Sequence, residues 1–138
     1  MKKIILMVIS FVSLSSVTSC SKNDEAPSLL GKWEYSKTGT ASNNQEVLTD
    51  YVTAVGCSKN YSVFTATTIV DHQFSGSVCT ETISTLPYTK NGNTLIVTGT
   101  SSNATFEIKT LNSTSLKIYY IDPNSPTTFY VTVFKRIN

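Results

Sequence analysis

From Gly31 onward, apolar and polar residues alternate with a period of two. Ala104, Phe106 and Ile108 fall on one side of a run whose other side is Thr105, Glu107 and Lys109. Leu116, Ile118 and Tyr120 repeat the pattern against Lys117 and Tyr119, and Phe129, Val131 and Val133 do so again. Neighbouring side chains on an extended backbone point to opposite faces, so this period, carried by Thr, Val, Ile, Tyr and Phe, predicts half-buried strands. Turn clusters punctuate the runs: Asn91-Gly92-Asn93, Ser101-Ser102-Asn103, Asn112-Ser113-Thr114 and Asp122-Pro123-Asn124-Ser125-Pro126. Gly and Asn tolerate positive φ and Pro cannot donate to a ladder, so each cluster predicts a hairpin connection. The strands expected are 31–38, 60–66, 68–75, 77–88, 93–100, 103–110, 115–122 and 127–136. Residues 39–56 are ambiguous, since 46–55 fits a short helix or another strand. An antiparallel meander of about eight strands closes most naturally as an up-and-down barrel, with a β-sandwich as the alternative.

The residues ahead of this region follow a different grammar. Met1-Lys2-Lys3 is a basic start, Ile4 to Leu14 is a short apolar stretch, and Val17-Thr18-Ser19 leads to Cys20. Basic, apolar and small-residue regions in that order predict a secretory signal over residues 1–19. The apolar stretch is too short to cross a hydrocarbon core of about 30 Å. Val17-Thr18-Ser19-Cys20 resembles the lipobox of bacterial lipoproteins. That resemblance implies cleavage before Cys20, a diacylglycerol thioether on its sulfur and an acyl chain such as palmitate on its new amino group. Several acyl chains, at about 0.8 kcal/mol per buried methylene, anchor stably where one does not. The alternative is a secreted protein whose Cys20 merely lies near the cut.

Without Lys2 and Lys3, the eleven Lys and Arg fall to nine, matching the nine Asp and Glu. A formally neutral domain lacks the basic footprint that nucleic acid requires. With Cys20 assigned to lipid, Cys57 and Cys79 remain, and an even pair in an exported domain favours a disulfide over two free thiols. No CxxC or nearby histidine completes a metal set, so no metal or cofactor is expected. Residues 20–28 read as the lipidated cysteine and a polar tether, and 29–138 as one domain with its own core. Ser21 lacks the Asp that retains some lipoproteins at the inner membrane, so the lipoprotein resemblance implies the outer membrane, on either face.

Leu30-Gly31-Lys32-Trp33-Glu34 places Gly-x-Trp on the first strand. Cys57 before Tyr61 and Phe64, Cys79 later, Tyr88 before Asn93-x-Leu95, Leu111 and Leu116 about a turn, and a closing Phe134-Lys135-Arg136 follow in order. Over residues 29–137 this set resembles the lipocalin-like domain family of Bacteroidetes-type lipoproteins. The resemblance implies that Trp33 packs at the closed end of a barrel beneath a basic side chain, Arg136 or the competing Lys135. Such a cation–π pair contributes about 0.5–2 kcal/mol. The chain is shorter than lipocalins proper, and a barrel this small can be filled by its own side chains.

Motifs of catalysis are missing. The chain has no Gly-x-Ser-x-Gly elbow, no His-Glu-x-x-His helix and no phosphate-binding glycine loop. His72, the single histidine, follows Asp71, but strand neighbours face opposite sides, so the two form no dyad. Sharing a face with Val70 and Phe74, His72 reads as a packed or pore-lining residue. No catalytic residue is assigned, and a non-enzymatic protein is expected. The leading expectation is a membrane-anchored, monomeric barrel holding a small apolar or amphipathic ligand, an analogy of fold. Ligand-facing candidates are Tyr35, Phe74, Phe106, Ile108, Ile118, Tyr120 and Phe129, with Val63, Val70, Leu95, Val97 and Val131 also expected inside. The alternative is an interaction module that binds a protein or glycan through exposed loops and outward tyrosines, Tyr119 and Tyr130, without a cavity. A cavity near 300–1,000 Å³ would favour the first.

Overall fold

A computed structural model describes residues 26–99, 101–125 and 127–138. The signal, Cys20 and the first part of the tether lie outside the described residues. Nine strands follow one another: β1 (Gly31–Ser42), β2 (Gln45–Asp50), β3 (Tyr61–Phe64), β4 (Thr68–Ser75), β5 (Thr80–Asn91), β6 (Thr94–Thr98), β7 (Asn103–Leu111), β8 (Ser115–Ile121) and β9 (Thr128–Ile137). All pairings are antiparallel, and β9 returns to pair with β1 from Lys32↔Ile137 to Ser42↔Thr128. The ring so closed has eight members, β1 and β3 to β9. Closure removes the edges of these eight strands that would otherwise invite pairing with another chain.

β2 is the additional strand, inside the segment whose structure the sequence left open. It shares one edge of β1 with β3: β3 takes Gly31–Glu34 and β2 takes Lys37–Ser42. The division falls at a register shift between Tyr35 and Lys37. Asn43 (φ 50°) and Asn44 (φ 63°) make the two-residue turn between β1 and β2. Positive φ at both central residues matches the right-handed twist of a hairpin, and asparagine reaches it more readily than other side chains.

Beyond Asp50 the chain forms an irregular loop, with no helix. The loop fills the gap beside β1 that neither β2 nor β3 covers. Tyr51 N–H donates to the Ser36 carbonyl, and Tyr35 N–H donates to the Asn60 carbonyl. Asn60, 7 % exposed, donates to the Tyr51 hydroxyl and accepts from the Phe74 N–H through its side-chain oxygen. A disulfide between Cys57 and Cys79 ties this loop to the β4–β5 turn. Cys79 sits in that turn with φ 53°, not in a strand, so β5 starts at Thr80 instead of 77.

Paired residues share a face, so the register sorts each strand into inner and outer positions. The inner cluster includes Leu29, Trp33, Phe64, Tyr88, Leu95 and Phe134. Ala41 and Val131 are equally buried, yet they pair into the outer face. The β1–β2 hairpin explains this. It bends back over the wall of β8 and β9, where Glu46 accepts from Lys117 Nζ at 2.8 Å and from the Tyr119 hydroxyl. The bend needs Gly39, because a Cβ there would lie 1.9 Å from the Val47 carbonyl oxygen.

Candidate functional site

The barrel has a closed end and an open one. At the closed end, fully buried Trp33 donates its indole N–H to the Leu29 carbonyl at 2.8 Å. Arg136 lies with its Cζ 4.1 Å from the Trp33 ring centre. Its guanidinium donates to the Leu30 carbonyl at 2.9 Å and to the Ser28 carbonyl, so it clasps the chain as it enters β1. Arg136 pairs directly with Trp33, whereas Lys135 pairs with Glu34 on the outer wall. The Gly-x-Trp spacing has a physical basis here. Gly31 has φ 123°, and a Cβ on it would lie 2.7 Å from the Arg136 guanidinium.

Above this floor lies a cavity of about 180 Å³. Its wall is mostly apolar: Phe64, Ile69, Leu86, Leu95, Phe106 and Phe134, with Val97 and Ile118 beside them. One side is polar. Asp71 Oδ1 accepts the Tyr35 hydroxyl at 2.9 Å and the Ser62 hydroxyl at 2.7 Å, and Oδ2 accepts the Gln73 amide at 2.6 Å. Ser84 stands directly opposite Asp71 on β5 and also lines the space. Burial first, and the Asp71 charge second, push the Tyr35 phenol well above its ordinary range. Towards the other end the inward positions Thr38, Thr40, Gln73, Thr82 and Tyr130 are all exposed. The cavity therefore opens at the end opposite Trp33.

Tyr35, Phe106 and Ile118 line this cavity. Ile108 and Tyr120 also carry inward register but lie outside its lining. Phe74 and Phe129 are corrections, as are Val63, Val70 and Val131: all five pair into the outer face. On β4 the apolar-looking phase of Val70, His72 and Phe74 faces out because the inward phase, Ile69, Asp71 and Gln73, carries the polar side of the cavity. His72 stacks on Tyr61 with ring centres 4.3 Å apart and bonds Glu81 at 2.8 Å, so it lines no pore. On β9 the outer residues are apolar because the folded-back hairpin covers them. Tyr130, expected outside, pairs with inward Tyr120 and stands at the mouth, 54 % exposed. Ser62 and Asp71, the polar members of the site, gave no motif. The only signal available was their shared inward register with Trp33 and Ser84.

A second, polar crevice of about 640 Å³ lies outside the barrel, where the hairpin meets β7 to β9. Asn43, Asn44, Glu46, Lys109, Tyr119 and Phe129 border it. Burial together with the bond to Glu46 pushes the Tyr119 phenol up to about 12. Lys117 and Tyr119, donating to Glu46, hold that carboxyl below its usual range.

No family model and no curated protein matches the chain. Among solved structures, it is similar to a lipocalin-like protein from Bacteroides uniformis, with TM-score 0.58 at 13 % identity, covering 79 % of this chain and 98 % of that one. An uncharacterized protein from Bacteroides eggerthii is similar over 80 % of this chain and 100 % of its own, with TM-score 0.53 at 12 % identity. At such identities the likeness establishes the architecture: the fold is that of a lipocalin-like barrel.

Proposed function

We propose that this chain is a lipid-anchored, outer-membrane lipoprotein of the lipocalin-like type that binds a small, mainly apolar ligand in its barrel. The observation that carries the binding reading is the interior cavity, walled mostly by apolar side chains and open at the end opposite the buried Trp33. At about 180 Å³ it is smaller than the pockets that take drug-sized molecules. An apolar cavity of about 150 Å³ admits a benzene-sized guest, so the ligand is a single ring or a short chain. A ligand that binds only the folded state raises stability with its concentration. Propylbenzene is expected to raise the Tm of the purified protein, and native mass spectrometry of protein from its own host to show a small retained mass. No shift with any single-ring probe, together with no retained mass, would overturn this reading.

The anchoring half rests on Val17-Thr18-Ser19-Cys20. Metabolic labelling with an alkynyl fatty acid should tag the native chain and not a Cys20→Ala variant. Equal labelling of both removes the anchor. The outer crevice supports a second reading, docking of a glycan or peptide beside Tyr119 and Phe129. Its mark would be binding lost in Tyr119→Ala and kept when the interior is occupied.

A further inference from the structure

We infer that the interior site selects a ligand bearing a protonated amine, held by Asp71. The inference deepens the ligand-binding reading and rests on it. Three donors hold the Asp71 carboxylate, and all three are neutral: the Tyr35 and Ser62 hydroxyls and the Gln73 amide. Among the described residues no lysine, arginine or histidine forms an ion pair with it. A carboxylate offers about four acceptor positions. Two on Oδ1 and one on Oδ2 are filled, which leaves a position on Oδ2, the oxygen not shared by Tyr35 and Ser62.

The placement is what a receptor for a cation needs. The charge stands on the wall of a mostly apolar cavity, and its supporting hydroxyls are fixed by the register Trp33↔Ser62 and Ser62↔Asp71. Partial exclusion of water strengthens both the Coulomb attraction and the hydrogen bond that an ammonium would make. A carboxylate-bearing guest such as a fatty acid meets like charge there, and its head is rejected. A neutral hydrocarbon fills the apolar wall and gains nothing from Asp71. The chemical class that uses the whole site is a small primary amine on one ring or a short chain, with its ammonium towards Asp71 and its body against Leu95, Phe106 and Phe134.

Three probes of similar size separate these cases: phenethylamine, propylbenzene and 3-phenylpropanoate. Each would be titrated calorimetrically into the purified protein at pH 7. Phenethylamine should bind about ten- to a hundredfold tighter than propylbenzene, the range expected of a hydrogen bond to a charged group. The carboxylate probe should bind more weakly than propylbenzene. In Asp71→Asn, which keeps the shape and an acceptor, the ratio of phenethylamine to propylbenzene affinity should fall to about one. Equal affinities of amine and hydrocarbon for the native protein would overturn the inference and leave the cavity as a general apolar site. An amine advantage that survives in Asp71→Asn would overturn it equally. Failure of all three probes overturns the inference, and together with no retained mass in the native protein it overturns the reading beneath it as well. The comparison among probes on the native protein involves no substitution, so instability of the variant does not shelter the proposal.

Discussion

At the residue scale, two positions show how chemistry that looks incidental in the sequence is required by geometry. Gly31 lies at φ 123° with the Arg136 guanidinium in the space of its missing side chain. A Gly31→Ala change should cost about 1–3 kcal/mol through backbone strain and displaced Arg136, and lower the Tm by roughly 4–12 °C, read in a thermal melt. The second position is Tyr35, whose phenol is held protonated by burial and by Asp71. An unfolded chain loses a tyrosine proton near pH 10 while the folded one keeps it. Folding stability is then full below about pH 10 and falls as pH rises beyond it. Denaturant midpoints at rising alkaline pH should show that fall, and Tyr35→Phe should reduce its slope while lowering stability at neutral pH. Tyr119 adds to the fall over the interval up to about 12. Gly31, Trp33 and Arg136 were legible because Gly-x-Trp on the first strand and the closing Phe134-Lys135-Arg136 resemble the lipocalin-like pattern, with Lys135 left as the competing basic residue. Asp71 was not, since a lone carboxylate on a strand looks solvated until the register turns it inward.

At the element scale, period two located strands well and assigned their faces less well. The alternation reads inside from outside only where one face meets water. On β9 both faces are covered, the inner by the core and the outer by the folded-back hairpin, so Val131 and Phe134 are both buried. Deleting the two terminal carbons of Val131 should cost about 2 kcal/mol, at roughly 0.8 kcal/mol per buried methylene plus incomplete relaxation. A guanidinium titration of Val131→Ala against Val78→Ala, whose valine is 82 % exposed, isolates the effect. A difference under a few tenths of a kcal/mol would mean that the hairpin does not cover β9 in solution. The loop after β2 escaped the pattern altogether, since Asn60 and Tyr51 hold it by individual hydrogen bonds and not by a ladder. Its other restraint is the disulfide, which spans 22 residues. Reduction should lower stability by about 3 kcal/mol in the chain-entropy description, and hydrogen exchange should rise first over residues 51–60.

At the scale of the whole molecule, the barrel divides its tasks between its two ends. The floor carries Trp33, Leu29 and the Arg136 clasp, while the mouth carries the β4–β5 turn and the exposed Tyr130. The ring could be anticipated from strand count and spacing, because closure is the simplest way for a long meander to lose its edges. The volume inside could not, because it depends on which phase of each strand turns inward and on how far large side chains such as Phe64 and Phe134 reach across.

The Arg136 clasp has one more consequence. By holding the Ser28 and Leu30 carbonyls, it brings the first described residues beside the last strand, so the described chain both starts and finishes at the floor. The molecule is a cup whose handle and foot lie on the same side. Fusion to a carrier, coupling to a sensor chip or a fluorophore at Ala26 or at Asn138 leaves the rim clear, and guest uptake should be unchanged whichever is used. Under the proposed anchoring at Cys20, the lipid would join the described chain on the floor side of the barrel and not at its rim.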